Sequence, residues 1–185
     1  MAILRILTVP DPVLSQKSRP VAEEEFGPDL VQRMEDMAET MFAAPGVGLA
    51  AVQVGDLRRM LGADVGQDRD ANGDRILGVD VVYLVNPVIV ESSKTLCIFE
   101  EGGLSVPGFW EDFTRPDQAR VRYRTPSGEE KERVFRDYPA VIIQHEMDHL
   151  DGVVILDNVS RLKRARYLSK VRKEAKRQSR EAAGL

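Results

Sequence analysis

The spacing of hydrophobic residues predicts a helix near the N-terminus of the chain. From Pro28 to Met41, apolar residues recur every three or four positions and polar residues fall between them. Proline is favoured in the first turn of a helix, and the Asp29 carboxylate suits the positive end of the helix dipole. We therefore expect a helix that begins at Pro28 and ends in the glycine-rich segment 43–48.

The hydrophobic period then changes. Segments rich in β-branched residues, separated by turn-forming residues, predict five strands, at 60–65, 76–90, 95–99, 119–124 and 132–135. Helical spacing returns at 137–150, with Gly152 placed to end that helix, and 161–185 predicts one long C-terminal helix. Because the strands follow one another without regular βαβ alternation, we predict an α+β fold. Antiparallel sheets would pack around the helix at 137–150, with an N-terminal and a C-terminal helix beside them.

Composition is that of an ordinary globular domain. The 185 residues are 43% hydrophobic and 30% charged, which fits one domain with a real core. The single cysteine, Cys97, cannot form an internal disulfide, as expected in a reducing compartment. The apolar runs are far shorter than the ~18 residues that span a membrane, and the N-terminus lacks the form of a signal peptide. We expect a cytoplasmic protein that makes no membrane contact.

Charge is divided unevenly along the chain. Residues 161–185 carry a formal net charge of +8 and the other residues carry −12. We therefore divide the chain into a domain at 1–160 and a basic helix at 161–185, which is part of that domain or an extension of it.

The strongest candidate for chemistry is the histidine pair in the second helix-forming segment, 137–150. His145 and His149 are the only histidines, and Glu146 lies between them. Side chains four residues apart share one helix face, so two imidazoles can bind one metal ion while the glutamate reaches the attacking water. The plainer alternative is two incidental histidines, but the apolar residues before them predict a buried helix, where histidines need partners. A third ligand would have to be a carboxylate or Cys97.

Two glycine-rich segments, 46–53 and 100–108, are weak candidates taken alone. In this order and spacing with the histidine helix, however, they resemble the three motifs of peptide deformylase, the metallohydrolase that removes the formyl group from nascent bacterial proteins. Residues 46–53 resemble the first motif, 101–105 the second and 145–149 the third. The resemblance extends from the N-terminus to about residue 162.

The resemblance implies a role for each matching residue. His145 and His149 would bind a divalent metal, typically Fe²⁺, with Zn²⁺, Ni²⁺ or Co²⁺ as substitutes. Glu146 would take a proton from the attacking water and pass it to the leaving amine. Gln53 and the backbone N–H of Leu104 would stabilise the oxyanion.

The resemblance also implies the substrate, which would be an N-formylmethionyl nascent peptide. Gly48 would contact the peptide backbone. Val47, Val141 and Ile142 fall where the family has its pocket for the methionine side chain.

One residue departs from the family pattern. Gly103 stands where the second motif has a cysteine whose thiolate is the third metal ligand. Loss of that thiolate implies a weakly occupied or empty metal site. Cys97 lies six residues upstream, too far along a strand to substitute readily, whereas Glu100, Glu101 or water molecules could complete a weaker site.

Several functions remain open on this basis. The chain is a working deformylase with a weaker metal site, an inactive paralogue that binds N-terminal peptides or the ribosome, or a normal enzyme into which Gly103 was introduced. Retention of Gln53, Leu104 and Glu146 favours the hydrolase. A metalloprotease outside the family is a further alternative and would cleave internal peptide bonds.

The basic tail is either a solvated helix or a contact for the ribosome, as the resemblance implies for a deformylase that meets nascent chains. Its basic residues would suit phosphate contacts. They are Arg161, Lys163, Arg164, Arg166, Lys170, Arg172, Lys173, Lys176, Arg177 and Arg180.

Overall fold

The computed structural model describes residues 2–182, in which three α-helices and seven β-strands alternate unevenly. The helices are α1 (Pro28–Ala43), α2 (Tyr138–Leu150) and α3 (Arg161–Ala182). The strands are β1 (Gly48–Ala50), β2 (Met60–Asp64), β3 (Val81–Ser92), β4 (Leu96–Gly103), β5 (Val106–Pro116), β6 (Gln118–Arg124) and β7 (Glu130–Arg136).

The strands form two sheets, and every pairing within them is antiparallel. One sheet has five strands in the order β1-β2-β3-β6-β7, and the other is the β4–β5 hairpin. Helix α2 contacts β1, β2, β5, β6 and β7, so strands surround it. The predicted α+β fold with antiparallel sheets around this helix is confirmed.

Helix α1 has the amphipathic pattern expected from its sequence. Its apolar residues Leu30, Met34, Met37 and Met41 are fully buried, and they pack in one cluster with residues of β1, β2 and β3. The helix begins at Pro28 and ends at Ala43, as predicted.

Helix α2 is buried on almost every side, because apolar and polar positions alike face neighbouring strands. Its core residues Ala140, Ile143, Met147 and Leu150 pack with the inner face of the five-stranded sheet. Gly152 follows the helix in the left-handed region, with φ of +79°, and a Cβ there would lie 2.8 Å from the carbonyl oxygen of Ser15. Only glycine satisfies both constraints, so its predicted place after the helix is confirmed.

Two strand predictions need correction. The predicted strand at 76–90 begins only at Val81, since Ile76, Leu77 and Val79 are exposed loop residues. Buried Asp64 holds this loop, because its carboxylate accepts hydrogen bonds from the backbone N–H groups of Gly66 and Gly78.

The strand predicted at 95–99 continues to Gly103, and β5 begins at Val106, so only 104–105 of the second glycine-rich segment lie outside a strand. Two strands were not predicted at all, β1 and β5. Strand β1 has only three residues, and β5 contains several charged and exposed residues. Neither strand therefore shows a regular alternation of apolar and polar positions in the sequence.

Helix α3 is attached to the body only through its first turns. The Tyr167 side chain is buried, its hydroxyl donates to the carbonyl oxygen of Pro107 at 2.9 Å, and its ring meets Phe109 edge-on with centroids 5.6 Å apart. Leu168 and Val171 pack against the same cluster. Residues 172–177 are exposed, so the helix projects from the body beyond Val171. Within residues 2–182, no helix is long and apolar enough to cross a membrane.

Replacing Tyr167 with alanine should destabilise the protein because it removes the aromatic anchor of α3. We expect a loss of about 3 kcal/mol, which corresponds to a fall in Tm of several degrees for a chain of this size. The matched control is Leu162→Ala on the same helix, whose side chain is 69% exposed and should leave Tm unchanged. Calorimetry of both variants measures the difference, and equal Tm values would show that α3 is not anchored by Tyr167.

Candidate active site

A cleft of about 490 Å³ opens between the β1 edge of the larger sheet, the β4–β5 hairpin and α2. The structure brings nearly all the sequence-predicted site residues to this cleft. Those that line it are Val47, Gly48, Gln53, Gly103, Leu104, Val141, Ile142, His145 and Glu146. His149 lies one helical turn beyond His145 and is 1% exposed.

The two histidines form a pair, of which His145 lines the cleft and His149 does not. Their ring centroids are 5.0 Å apart and the rings are inclined by 72°. His145 Nδ1 lies 2.8 Å from a Glu101 carboxylate oxygen, so Nδ1 carries the proton and Nε2 is left with a free lone pair. That Nε2 faces Gly103, since a Cβ built on Gly103 would lie 3.5 Å from it.

His149 is more isolated than His145. Both of its ring nitrogens are buried, and neither has a hydrogen-bond partner within residues 2–182. Burial, followed by the influence of His145 and Arg115, holds the pKa of His149 well below its usual value, so the ring is neutral. A neutral imidazole is the form that binds a metal ion.

Glu146 lies beside the histidine pair and is 5% exposed. Its Oε2 atom has no hydrogen-bond partner in the described part of the chain, and burial raises its pKa to about 7. The side chain packs directly against Gly48, where a Cβ would overlap the carboxylate. Glycine at this position therefore lets β1 approach the helix closely enough for Glu146 to reach the cleft.

A charged network orients His145 through its Nδ1 atom. Arg115 donates from Nε and Nη2 to the two Glu101 oxygens at 2.6 and 2.9 Å, and from Nη1 to Asp148 at 2.9 Å. Burial tends to raise the pKa of Glu101, but the hydrogen bonds from His145 and Arg115 outweigh it and the pKa is lowered. For His145, the hydrogen bond to Glu101 and the charge of Glu146 outweigh burial, and its pKa is raised.

Sequence reasoning missed Arg115 and Asp148 as parts of the site. Arg115 lies on β5, which the hydrophobic pattern did not predict, and it reaches Glu101 through pairing of β4 with β5. Asp148 lies on α2 directly before His149. Its charge, within a largely apolar helix, was the one signal in the sequence that could have marked it as part of the site.

Of the residues suggested as a replacement third ligand, Glu101 and Cys97 do not occupy that position. Glu101 contacts Nδ1 of His145 and spends both oxygens on Arg115 and His145, so it orients the ring from the far side. Cys97 lies near the other end of β4, with its thiol 3.5 Å from the Arg115 carbonyl oxygen, and six strand residues span about 20 Å. No group of three His, Cys, Asp or Glu residues within 2–182 is arranged to hold a metal ion.

Gln53 is fixed at the opposite wall of the cleft. Its side-chain oxygen accepts a hydrogen bond from the backbone N–H of Ala50 at 2.7 Å, and its amide nitrogen donates to the Ser105 hydroxyl at 3.1 Å. An amide NH₂ has two N–H donors, so one remains for a ligand in the cleft. Leu104 lies between Ser105 and Gly103, where β4 ends.

An apolar wall completes the cleft. Val141 and Ile142 on α2 face Val47 across it, and Tyr138 stands at the same side with its ring 5.4 Å from that of Phe99. This wall presents apolar surface to a ligand in the cleft.

Comparison with known proteins places these features in a family. Residues 3–165 match the family model described as polypeptide deformylase. A peptide deformylase from Maricaulis maris is 46% identical over 99% of this chain and 100% of that protein. The crystal structure of peptide deformylase from Ehrlichia chaffeensis is similar with a TM-score of 0.84 and 37% identity, over 96% of this chain and 99% of that one. A class I type b peptide deformylase from Acinetobacter baumannii, bound to Met-Ala-Ser, is similar with a TM-score of 0.77 and 32% identity, over 85% of this chain and 99% of that one.

Removing the Arg115 guanidinium should cost the protein much more stability than removing an exposed one. Arg115→Ala leaves Glu101 and Asp148 without their cation, and we expect a loss of about 3 kcal/mol in the free energy of unfolding. The control is Arg164→Ala, which breaks the half-exposed ion pair with Asp157 and should cost about 1 kcal/mol or less. Urea unfolding of both variants gives the comparison, and similar losses would mean that the network does not stabilise the site.

Proposed function

Since this chain belongs to the polypeptide deformylase family of metallohydrolases, we propose that it removes the formyl group from the N-terminal methionine of nascent peptides. The observation that carries the proposal is that His145 and Glu146 line one cleft, with the His149 ring 5.0 Å from that of His145. Both ring nitrogens of His149 and Oε2 of Glu146 are buried without partners within residues 2–182, and such atoms in proteins are normally satisfied. Hydrolysis of a linear amide uses this combination of groups.

The residues present fit a divalent metal ion. His149 is neutral with both nitrogens unpaired, and His145 turns Nε2 away from Glu101 towards the cleft. We propose that these two side chains hold the metal, and imidazole ligands suit Fe²⁺, Zn²⁺, Ni²⁺ and Co²⁺ alike. When bound, such an ion acts as a Lewis acid that polarises the formyl carbonyl and strengthens water as a nucleophile.

Glu146 moves the proton in the proposed reaction. Its free oxygen lies in the cleft beside the histidine pair, so it can accept a proton from the attacking water. The same carboxyl group then delivers the proton to the methionine nitrogen as the bond between carbon and nitrogen breaks. One group therefore serves both steps without leaving the cleft.

Gln53 and Leu104 stabilise the developing negative charge on the formyl oxygen. The Gln53 amide is held by Ala50 and Ser105, so its remaining N–H is aimed before substrate arrives. Hydrogen-bond donors that are fixed before the reaction need little reorganisation when negative charge develops in the transition state. They accelerate the reaction for that reason.

The peptide binds along β1. This strand is at the edge of the five-stranded sheet and pairs only with β2, so its other side can pair with an extended peptide. Gly48 would supply backbone contacts there, and the methionine side chain would enter the apolar wall of Val47, Val141 and Ile142.

A second candidate function is binding of N-terminal peptides without hydrolysis. It is favoured by Gly103, which leaves the site with two histidines and no thiolate. The cleft and the β1 edge would serve this function equally well.

An assay of formate release from a formyl-Met peptide tests the proposed function and its mechanism. With Fe²⁺, Ni²⁺, Zn²⁺ or Co²⁺ added, we expect turnover, and Glu146→Gln should lower kcat at least about a hundredfold because the proton carrier is lost. Glu130→Gln, at an exposed carboxylate on β7, is the matched control and should leave kcat unchanged.

The absence of formate with every metal would overturn hydrolysis. Tight binding of the same peptide, measured by calorimetry, would then support the peptide-binding alternative. Release of products cut at an internal peptide bond, detected by mass spectrometry, would instead indicate a metalloprotease.

We also propose that the chain works in the cytoplasm and contacts the ribosome through α3. The exposed basic residues Arg172, Lys173 and Lys176 lie beyond Val171, the last residue of the helix packed against the body. Arg180 belongs to the same basic set, but its side chain lies outside the part that the structure describes. Cations presented on a projecting helix suit contact with RNA phosphates.

Replacing Arg172, Lys173 and Lys176 together with glutamine should weaken ribosome association. Each lost phosphate contact reduces the slope of log affinity against log salt by about 0.9, so the slope should fall by up to about 3. Cosedimentation with ribosomes across a salt series gives the slope. A triple variant of exposed lysines on the body, Lys17, Lys94 and Lys131, is the control, and equal slopes for the two variants would exclude a specific role for α3.

A further inference from the structure

Gly103 is the one glycine of the cleft that neither backbone conformation nor crowding explains. Its φ is not in the left-handed region, so any residue could adopt its conformation. A Cβ on Gly48 would overlap Glu146, and one on Gly102 would lie 2.6 Å from the Trp110 ring. A Cβ on Gly103 would meet only the His145 ring, at ordinary contact distances of 3.5 and 3.8 Å.

Gly103 therefore leaves room for a further atom beside His145 Nε2, where a ligand could reach a metal held by the two imidazoles. This space belongs to the cleft of about 490 Å³, which Gly103 lines together with Leu104, so a small molecule can enter it from solvent. Within residues 2–182, neither Glu101 nor Cys97 fills it, because Glu101 is engaged with Arg115 and His145, and Cys97 lies far along β4.

We infer that the space beside Gly103 and His145 Nε2 is a binding site for a low-molecular-weight thiolate, which completes the ligand set of the metal from outside the chain. This inference rests on the metal site of the proposed function. On binding, the thiol releases its proton to solvent and its sulfur forms a bond to the metal, with no change of oxidation state.

Three properties of the site favour a thiolate over other small ligands. An imidazole that binds a metal ion through a ring lone pair is neutral, so a dication held by two of them keeps its full charge and attracts an anion. Thiolate sulfur is a soft donor that late divalent metals such as Zn²⁺ and Co²⁺ bind strongly. The space is bounded by the His145 ring and by the Gly103 backbone, with no positive side chain that would select a carboxylate.

A free thiol binds more weakly than a tethered one because it loses translational freedom on binding. We therefore expect half-saturation at millimolar thiol. Linkage requires that the thiol and the metal strengthen each other's binding by the same factor. Metal retention by this chain should thus follow the concentration of thiol around it.

The test uses the full chain with Cys97→Ser, which removes its own thiol, loaded with Co²⁺ without oxygen. Titration with mercaptoethanol should produce the near-ultraviolet charge-transfer absorption of a cobalt–thiolate bond. Equilibrium dialysis should show Co²⁺ held at least about tenfold more tightly with saturating thiol. Ethylene glycol, which has the same shape with hydroxyl in place of thiol, and acetate are the comparison ligands.

Two variants at position 103 serve as controls. Gly103→Cys should show the absorption without added thiol and should gain nothing from it. Gly103→Val, checked for folding by its Tm, should bind Co²⁺ and fail to respond to thiol because its side chain fills the space.

Each outcome decides the inference. A Co²⁺-loaded protein without thiol-dependent absorption, or one that binds no Co²⁺ even with thiol, would overturn it, and equal tightening by acetate would reduce the site to a general anion site. These measurements need no turnover, so they are separate from formate release. Turnover without a thiol response would support the proposed function and overturn the thiolate site. A thiol response without turnover would support the thiolate site and overturn hydrolysis.

Discussion

The burial of the polar face of α2 is the constraint on which the rest of the site depends. His145, Glu146 and His149 are each less than a tenth exposed, and buried polar groups destabilise a protein unless they are paired. The β4–β5 hairpin meets this need for His145 through Glu101 and Arg115. For His149 and Glu146 the described chain supplies no partner to three buried polar atoms, so hydrogen bonds within it do not offset the loss of stability that their burial causes.

The same burial explains the different uses of glycine around the cleft. Gly48 allows β1 to lie against Glu146, and Gly102 accommodates the Trp110 ring, so both serve close packing. A Cβ on Gly103 would meet the His145 ring only at ordinary contact distance, so close packing does not require glycine there. Gly103 brings no side-chain donor to the cleft, while Gln53, Leu104 and Glu146 still line it. Membership of the deformylase family is therefore compatible with glycine at this position.

Local patterns in the sequence were sufficient for the helices and for the residues they carry. The 3.6-residue period and the terminal proline and glycine signals predicted α1 at its observed bounds and α2 to within one residue. The i to i+4 spacing alone indicated that His145 and His149 share a face, and the motif order indicated the family. The short strand β1 and the charged strand β5 escaped the same reasoning, because they are stabilised by pairing with distant strands rather than by an alternating pattern of their own.

The sequence by itself thus determined the fold class, the histidine pair and the family, since each depends on local periods, short motifs and their order along the chain. Only the tertiary structure decided what Glu101 and Cys97 do. Glu101 meets His145 across 44 residues and Arg115 across 14, and these contacts follow from the pairing of β4 with β5 and their packing on α2. The same packing turns Gly103 towards Nε2 of His145 and leaves Cys97 at the far end of its strand. Such contacts are set by strand register and by how the helix packs, and no local period in the sequence encodes either.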